Sequence, residues 1–205
     1  MKLKSIIYGI AAGALLLGSS SCTNDFEEIN TDPNKMNVGD LHPSGMFEAL
    51  VNGMARQQNN YSYAWNNELA QFTANTGLAG QNVHRYLIID TNWSTFWNNY
   101  AKFGANAVHM YQLAEKYDDN ACKAIALTIK AYVMSNLTDL FGDIPYTEAF
   151  RNGEGILTPK FDSQKDVYTA IFADLETAND LYADKPEFDK PAIDLMYGGD
   201  MSLWR

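Results

Sequence analysis

The sequence predicts an all-α protein assembled from antiparallel helical hairpins. After Pro43, apolar residues recur at three- and four-residue intervals along most of the chain, the period of one face of a helix. A short polar break, Asp118-Asp119-Asn120, separates the two clearest of these stretches, and so short a break makes neighbouring helices antiparallel. No alternating strand pattern, glycine-rich phosphate loop or βαβ unit interrupts them.

The N-terminus reads as a targeting segment rather than as part of the fold. Lys2 and Lys4 give a positive start, Ile6 to Leu17 form an apolar core, and Gly18-Ser19-Ser20-Ser21 supply small residues before Cys22. The core is too short to span a bilayer, which takes ~20 apolar residues. Small residues leading directly into a cysteine predict a lipoprotein signal over residues 1–21, with cleavage before Cys22 and lipid attached to that cysteine. Ser19 stands where such a motif usually has leucine. The competing reading is an ordinary thiol just past a plain cleavage site.

Cleavage removes two lysines and no acids, leaving 25 acidic against 13 basic side chains, a formal charge of −12. That balance excludes a nucleic-acid surface and a polybasic grip on anionic lipid, so the lipid on Cys22 must supply the anchoring. With Cys22 acylated, Cys122 has no intrachain partner and reads as a small buried apolar residue.

Residues 22–43 form a polar tether and lead-in loop containing Pro33 and Gly39. Asn30, Asp32 and Asn34 alternate as in a calcium loop, but Lys35 and Leu41 occupy the positions of the required glycine and bidentate glutamate, so an Asx-rich turn is the better reading. From residue 44 to 205 the chain is a helical domain. Met46, Leu50 and Met54 predict a first helix ending near Gln58. Trp65, Leu69 and Phe72 predict a second from Tyr61 to Asn75. Thr76 to Asn92, with Gly77, Gly80 and the apolar Tyr86-Leu87-Ile88-Ile89, reads as a long loop with a short extended piece.

From Ser94, the residues Phe96, Tyr100, Phe103, Ala107, Met110 and Ala114 make an unbroken apolar stripe. The next helix, from Ala121 to about Leu140, places Ile125, Thr128, Tyr132, Ser135 and Leu137 on or near its inner side. Asp139 to Phe150 is a compact turn in which Gly142 permits a positive φ and Pro145 halts any helix. Ser163 and Asp166 form a capping-box-like start to a helix carrying Val167, Ile171, Leu175, Ala178 and Leu181 inward, to about Tyr182. Pro186 and Pro191 mark a surface loop. Gly198-Gly199-Asp200-Met201-Ser202-Leu203-Trp204-Arg205 then reads as a turn, a cap and the start of a further helix, as in the front portion of something longer. The helix pairs repeat at about 35 to 45 residues, the spacing of tetratricopeptide-type arrays, without the signature residues of that repeat.

Little in the sequence points to catalytic chemistry. His42, His84 and His109 are scattered with no second ligand at i+3 or i+4, so spacing supports no metal site, and no cofactor is implied. There is no G-x-S-x-G elbow, and the many acids lie mostly on solvent faces of helices, so no enzyme is expected. Aromatic residues are conspicuous: four Trp, twelve Tyr and ten Phe. Periodicity assigns Phe96, Tyr100, Phe103 and Phe172 to helix faces. Trp93, Trp65, Tyr86 and Tyr63 sit near helix starts or in the loop region among Asn and Gln, where a flat ring beside amides suits a sugar. Trp93 is the first choice, read as lying before a helix cap. The competing reading packs each ring inward under the loop, with Trp93 stapled on Trp97.

The order of features resembles the SusD/RagB family of nutrient-binding outer-membrane lipoproteins of the Bacteroidota. The resemblance rests on Cys22, on Asn24-Asp25-Phe26-Glu27-Glu28-Ile29-Asn30-Thr31-Asp32-Pro33-Asn34, on Trp97-Asn98-Asn99-Tyr100, and most specifically on the run from Leu137 to Ala149. Tyr197-Gly198-Gly199-Asp200 followed by Trp204 resembles a further helix start of the family. The resemblance covers the mature chain but only the N-terminal part of the family, whose members are more than twice this length.

It implies a SusD-like, tetratricopeptide-like helical fold, here truncated. It implies a lid over a SusC-like TonB-dependent outer-membrane transporter that captures glycans or peptides for import, lipid-anchored and facing the cell exterior. Asp25, Glu27 and Glu28 fit the acidic tags of such surface lipoproteins. Asp139, Gly142, Asp143 and Pro145 are implied to be scaffold; no ligand residue carries over by motif. The second function class left open is a truncated, non-binding helical scaffold that only contacts the transporter.

Overall fold

The computed structural model describes residues 41–77, 83–87 and 90–205. The expected signal segment, Cys22, most of the expected tether with its Asx-rich turn, Gly80 and Ile88-Ile89 lie outside the described residues. The fold is that of one unit, His42–Arg205.

A 3₁₀ turn, Pro43–Met46, opens the unit with proline in its first turn, where a missing N–H costs nothing. It leads into α1 (Phe47–Tyr61), which continues through a π turn (Ser62–Asn66) into α2 (Asn67–Leu69). The break expected near Gln58 is therefore absent: no glycine, proline or capping side chain stands there to stop the backbone ladder. The end expected at Asn75 comes earlier instead. Gln71 takes a φ of 61°, and Phe72, expected on the inner face, is 82% exposed.

A 3₁₀ turn, Val83–Arg85, is the regular piece in the loop that follows. Then α3 (Asp90–Asn99) starts four residues before the expected Ser94, and a second π turn (Tyr100–Gly104) joins it to α4 (Ala105–Lys116). All six residues of the predicted stripe, Phe96 to Ala114, are buried. The chain reverses where Asp118 takes a φ of 54° and Asp119 caps α5 (Asn120–Phe141) by accepting the Cys122 N–H at 2.8 Å. Cys122 is buried, and burial pushes its thiol pKa up.

Helix α5 is the centre of the unit, with α4 on one side and α6 (Gln164–Ala183) on the other. Ile125 and Leu137 are buried as expected, but Tyr132 is 42% exposed and Ser135 half-exposed. Ala124, Ala126, Leu127, Ile129, Val133, Met134 and Thr138 are buried instead. A helix flanked on two sides has no single inner stripe, so a one-face reading misplaces residues on it.

The Asp139–Phe150 segment ties the end of α5 to the start of α6. Gly142 has φ 74° and ψ −115°, and the Thr138 hydroxyl donates to its carbonyl at 2.6 Å. Asp139 accepts the Tyr168 hydroxyl at 2.6 Å, and Asp143 accepts the Gln164 N–H at 3.0 Å. Pro145 follows the bridge residue Ile144, which pairs antiparallel with Asp162. Ser163 caps α6 by accepting the Asp166 N–H, and its hydroxyl donates to the Asp166 carboxylate at 2.7 Å. Val167, Ile171, Ala178 and Tyr182 face inward, whereas Leu175 is exposed.

Beyond α6, Phe188 drops into the core and buried Asp194 gathers the N–H groups of Met196, Tyr197 and Gly199 with the indole N–H of Trp204. Gly198 and Gly199 take positive φ, and Asp200 caps α7 (Met201–Trp204). No helix among the described residues is long and apolar enough to cross a membrane.

A candidate ligand cleft of rings and amides

Away from the main core, Trp65, Val83 and Phe96 make a second apolar cluster, with Tyr61, Leu69, Trp93 and Phe141 packed around it. Both π turns adjoin this cluster. A π turn carries more residues per turn than an α-helix and recurs at functional sites. Here the first sets Trp65 edge-on to Phe96, with ring centres 5.0 Å apart at 80°. Trp93 lies 5.9 Å from Trp65 and 5.9 Å from Phe141, and Tyr61 lies 4.1 Å from Phe96.

The Tyr61, Trp65, Trp93 and Phe96 rings form one wall of a cleft of about 250 Å³ between α1, α3 and α5. Amide and hydroxyl groups complete it: Gln57, Gln58 and Tyr61 from α1, Asn66 from the π turn, Asn99 from α3, and Tyr132 and Asn136 from α5. The Tyr61 hydroxyl donates to the Thr95 carbonyl at 3.1 Å and accepts from Asn99 Nδ2 at 2.7 Å. Burial raises the Tyr61 phenol above its usual pKa, and hydrogen bonds from Gln57 and Asn99 partly offset that. Among the described residues, Asp139 is the single charged residue in the lining, and no lysine, arginine or histidine lines it. An apolar floor with neutral donors and acceptors can hold a ligand by ring-to-C–H contact and by hydrogen bonds to hydroxyl or amide groups.

Of the four aromatic candidates, the fold brings Trp65 and Trp93 together in this cleft and leaves Tyr63 and Tyr86 outside it, 75% and 65% exposed. Trp93 does not precede a helix cap. It lies inside the first turns of α3, half-buried, and packs on Trp65, Phe96 and Phe141 rather than on Trp97. Gln57, Tyr61, Asn99 and Asn136 escaped sequence reasoning. One signal was present: Tyr132, Asn136 and Asp139 stand at i, i+4 and i+7 on α5, polar groups along one face of the helix.

Residues 33–205 match the SusD-like family described as starch-binding associating with outer membrane. No curated protein matches the chain. One crystal structure of a SusD homologue from Bacteroides fragilis is 26% identical with a TM-score of 0.57, covering 80% of this chain and 33% of that one. Another SusD homologue from the same species is 21% identical with a TM-score of 0.55, covering 81% and 33%. The chain thus spans about a third of the length of the solved structures it resembles. Their helical architecture is the one seen here, and the family is one of binding proteins tied to the outer membrane. With the family match extending from residue 33 to residue 205, the chain belongs to the SusD/RagB family.

Proposed function

We propose that this chain is an outer-membrane lipoprotein, anchored through Cys22 and facing the cell exterior, that binds oligosaccharides at the cleft for import through a SusC-like TonB-dependent transporter. Peptides are the lesser candidates for the same site. The observation that carries the reading is the convergence of Trp65, Trp93 and Phe96 with Gln57, Asn99 and Asn136 around one opening. The rings offer flat apolar surface and the amides offer both donors and acceptors, the combination a polyhydroxylated ligand requires. We assign the cleft no catalytic role: among the described residues its lining holds one carboxylate, already bonded to Tyr168, and no second acid or base.

A second reading has an observation of its own. Trp65 and Phe96 are only 8% and 6% exposed, so their rings are largely spent on one another and on Tyr61 and Trp93. On that reading the helical hairpins are a non-binding scaffold that only contacts the transporter. Affinity electrophoresis in gels containing starch or other neutral glycans, run with the parent, Gln57→Ala and Asn136→Ala, separates the two. Retardation lost in both variants at unchanged thermal stability supports the binding cleft. A parent chain that no glycan retards, yet that co-purifies with the transporter, supports the scaffold.

A further inference from the structure

Apart from the cleft lining, three chain segments meet at His42, Asp119 and Asp189. One ligand-type atom from each, the imidazole nitrogen and two carboxylate oxygens, lies within 4.8 Å of the others. They come from the lead-in to α1, the α4–α5 turn and the loop after α6, so no sequence spacing could have revealed them. We infer that His42, Asp119 and Asp189 form a binding site for a divalent transition cation, Zn²⁺ first among them, with water completing the coordination.

Each ligand is already oriented by another contact. The His42 ring rests on Tyr117, with ring centres 4.9 Å apart. One Asp119 oxygen accepts the Cys122 N–H at 2.8 Å, and a carboxylate retains a second oxygen for a metal. Fully buried Ser44 sits between the other two: its hydroxyl lies 2.9 Å from His42 Nδ1 and donates to Asp189 at 3.0 Å. Carboxylates held by such outer contacts, as Asp119 is by the Cys122 N–H and Asp189 by Ser44, are a common arrangement of metal sites.

Charge points the same way. Among the described residues, neither Asp119 nor Asp189 has an ion pair with a lysine or arginine within 4.0 Å; the His42 imidazole lies 3.4 Å from Asp189. Two carboxylates converging without a fixed cation, on a chain already strongly acidic, favour a bound one. The imidazole selects a borderline ion over Ca²⁺ and Mg²⁺, which prefer all-oxygen shells. Tetrahedral bonds of 2.0–2.2 Å place ligand atoms roughly 3.3–3.6 Å apart, so closure from within 4.8 Å takes a shift of about an ångström, within reach of exposed Asp189. In the metal-free site the one Ser44 proton goes to Asp189, so Nδ1 carries the proton shared with Ser44. The ion takes that proton's place and breaks the Nδ1 contact with Ser44, whose hydroxyl keeps its bond to Asp189, and Nε2 carries the ring proton instead.

The test is calorimetric titration of the full chain, stripped with EDTA, with ZnCl₂, alongside thermal unfolding. We expect saturable binding of one ion and, at ~100 times the dissociation constant, a rise in Tm of roughly 5–10 °C. His42→Gln and Asp189→Asn each weaken binding at least ~10-fold, whereas His109→Gln leaves it unchanged. Asp189→Asn decides the matter should His42→Gln misfold, because Asp189 is exposed and its loss leaves the core intact. No saturable heat, equal binding by the parent and both variants, or tighter binding of CaCl₂ or MgCl₂ than of ZnCl₂ would overturn the assignment.

Discussion

Asp162 holds Thr147 through both carboxylate oxygens. The Thr147 N–H donates to Oδ2 at 2.8 Å, and the Thr147 hydroxyl lies 3.0 Å from Oδ1 and from Oδ2. The Tyr146 N–H donates to the same Oδ2 at 3.0 Å, so one buried side chain fixes the backbone just after Pro145. Burial alone would raise the Asp162 pKa. The Thr147 and Tyr146 amides, the Thr147 hydroxyl and Lys160 outweigh it and hold the carboxyl below its ordinary value.

Asp162→Asn should therefore destabilise the fold by about 2–3 kcal/mol at neutral pH, because an amide nitrogen turned toward donors leaves them unpaired. The pH dependence has a definite sign. A carboxyl whose pKa is lowered on folding contributes stability that is complete above its unfolded value, near ~3.9, and is lost as pH falls through the lower folded value. Urea unfolding of parent and variant from neutral pH down to ~3 should show the gap between them narrowing in the acid range. A gap that widens on acidification would refute the account.

Gly142→Ala should cost more than ~1 kcal/mol, and about 1–3 kcal/mol is expected. A Cβ there would meet open space, so the penalty comes from the backbone at φ 74°, which an L side chain rarely adopts, and not from a clash. Thermal unfolding of the variant checks it; a Tm equal to the parent's would show that the turn relaxes freely.

Trp93→Ala tests whether the cleft rings serve a ligand as well as the fold. Three ring contacts predict a stability loss of roughly 1–3 kcal/mol. Loss of a stacking face predicts weaker glycan binding by ~1–3 kcal/mol, a scale taken from base–aromatic stacking. Tyr63→Ala and Tyr86→Ala should leave stability within ~0.5 kcal/mol, since both rings are largely exposed. Affinity retained in a destabilised Trp93→Ala would assign that ring to the core alone.

Mass spectrometry of the mature N-terminus should find Cys22 carrying a diacylglyceryl group with an acylated amine. One acyl chain holds a protein only marginally on a membrane, so a stable anchor takes more than one. An unmodified residue 22, or cleavage elsewhere, would remove the lipid anchor from the proposal.

The parts of this fold legible in the sequence are those written in one local signal. The stripe from Phe96 to Ala114, the Ser163–Asp166 cap and the Gly142 stop each need a particular residue type at a particular place, and each stands where the pattern puts it. Other features leave no such mark. A π turn asks for no special side chain, so the run from Phe47 to Leu69 reads as two helices. The exposure of Tyr132 depends on α4 and α6 both reaching α5, a property of the assembly rather than of the helix. The cleft was half legible for the same reason. Its tryptophans stand out by chemistry, whereas Gln57, Asn99 and Asn136 are ordinary surface amides until three helices bring them together.

The π turn at Tyr100–Gly104 couples chain length to the shape of the cleft. An α-helix advances 100° per residue, so removing one residue there would swing α3 by about that angle relative to α4. Ala107, Met110 and Ala114 would keep their places against α5, while Trp93 and Phe96 would rotate off the cleft wall. The junction works as a gear between a constant half and an adjustable half of one continuous rod. Insertions and deletions of a single residue at 100–104 would thus be the shortest route to a differently shaped recess on an unchanged scaffold.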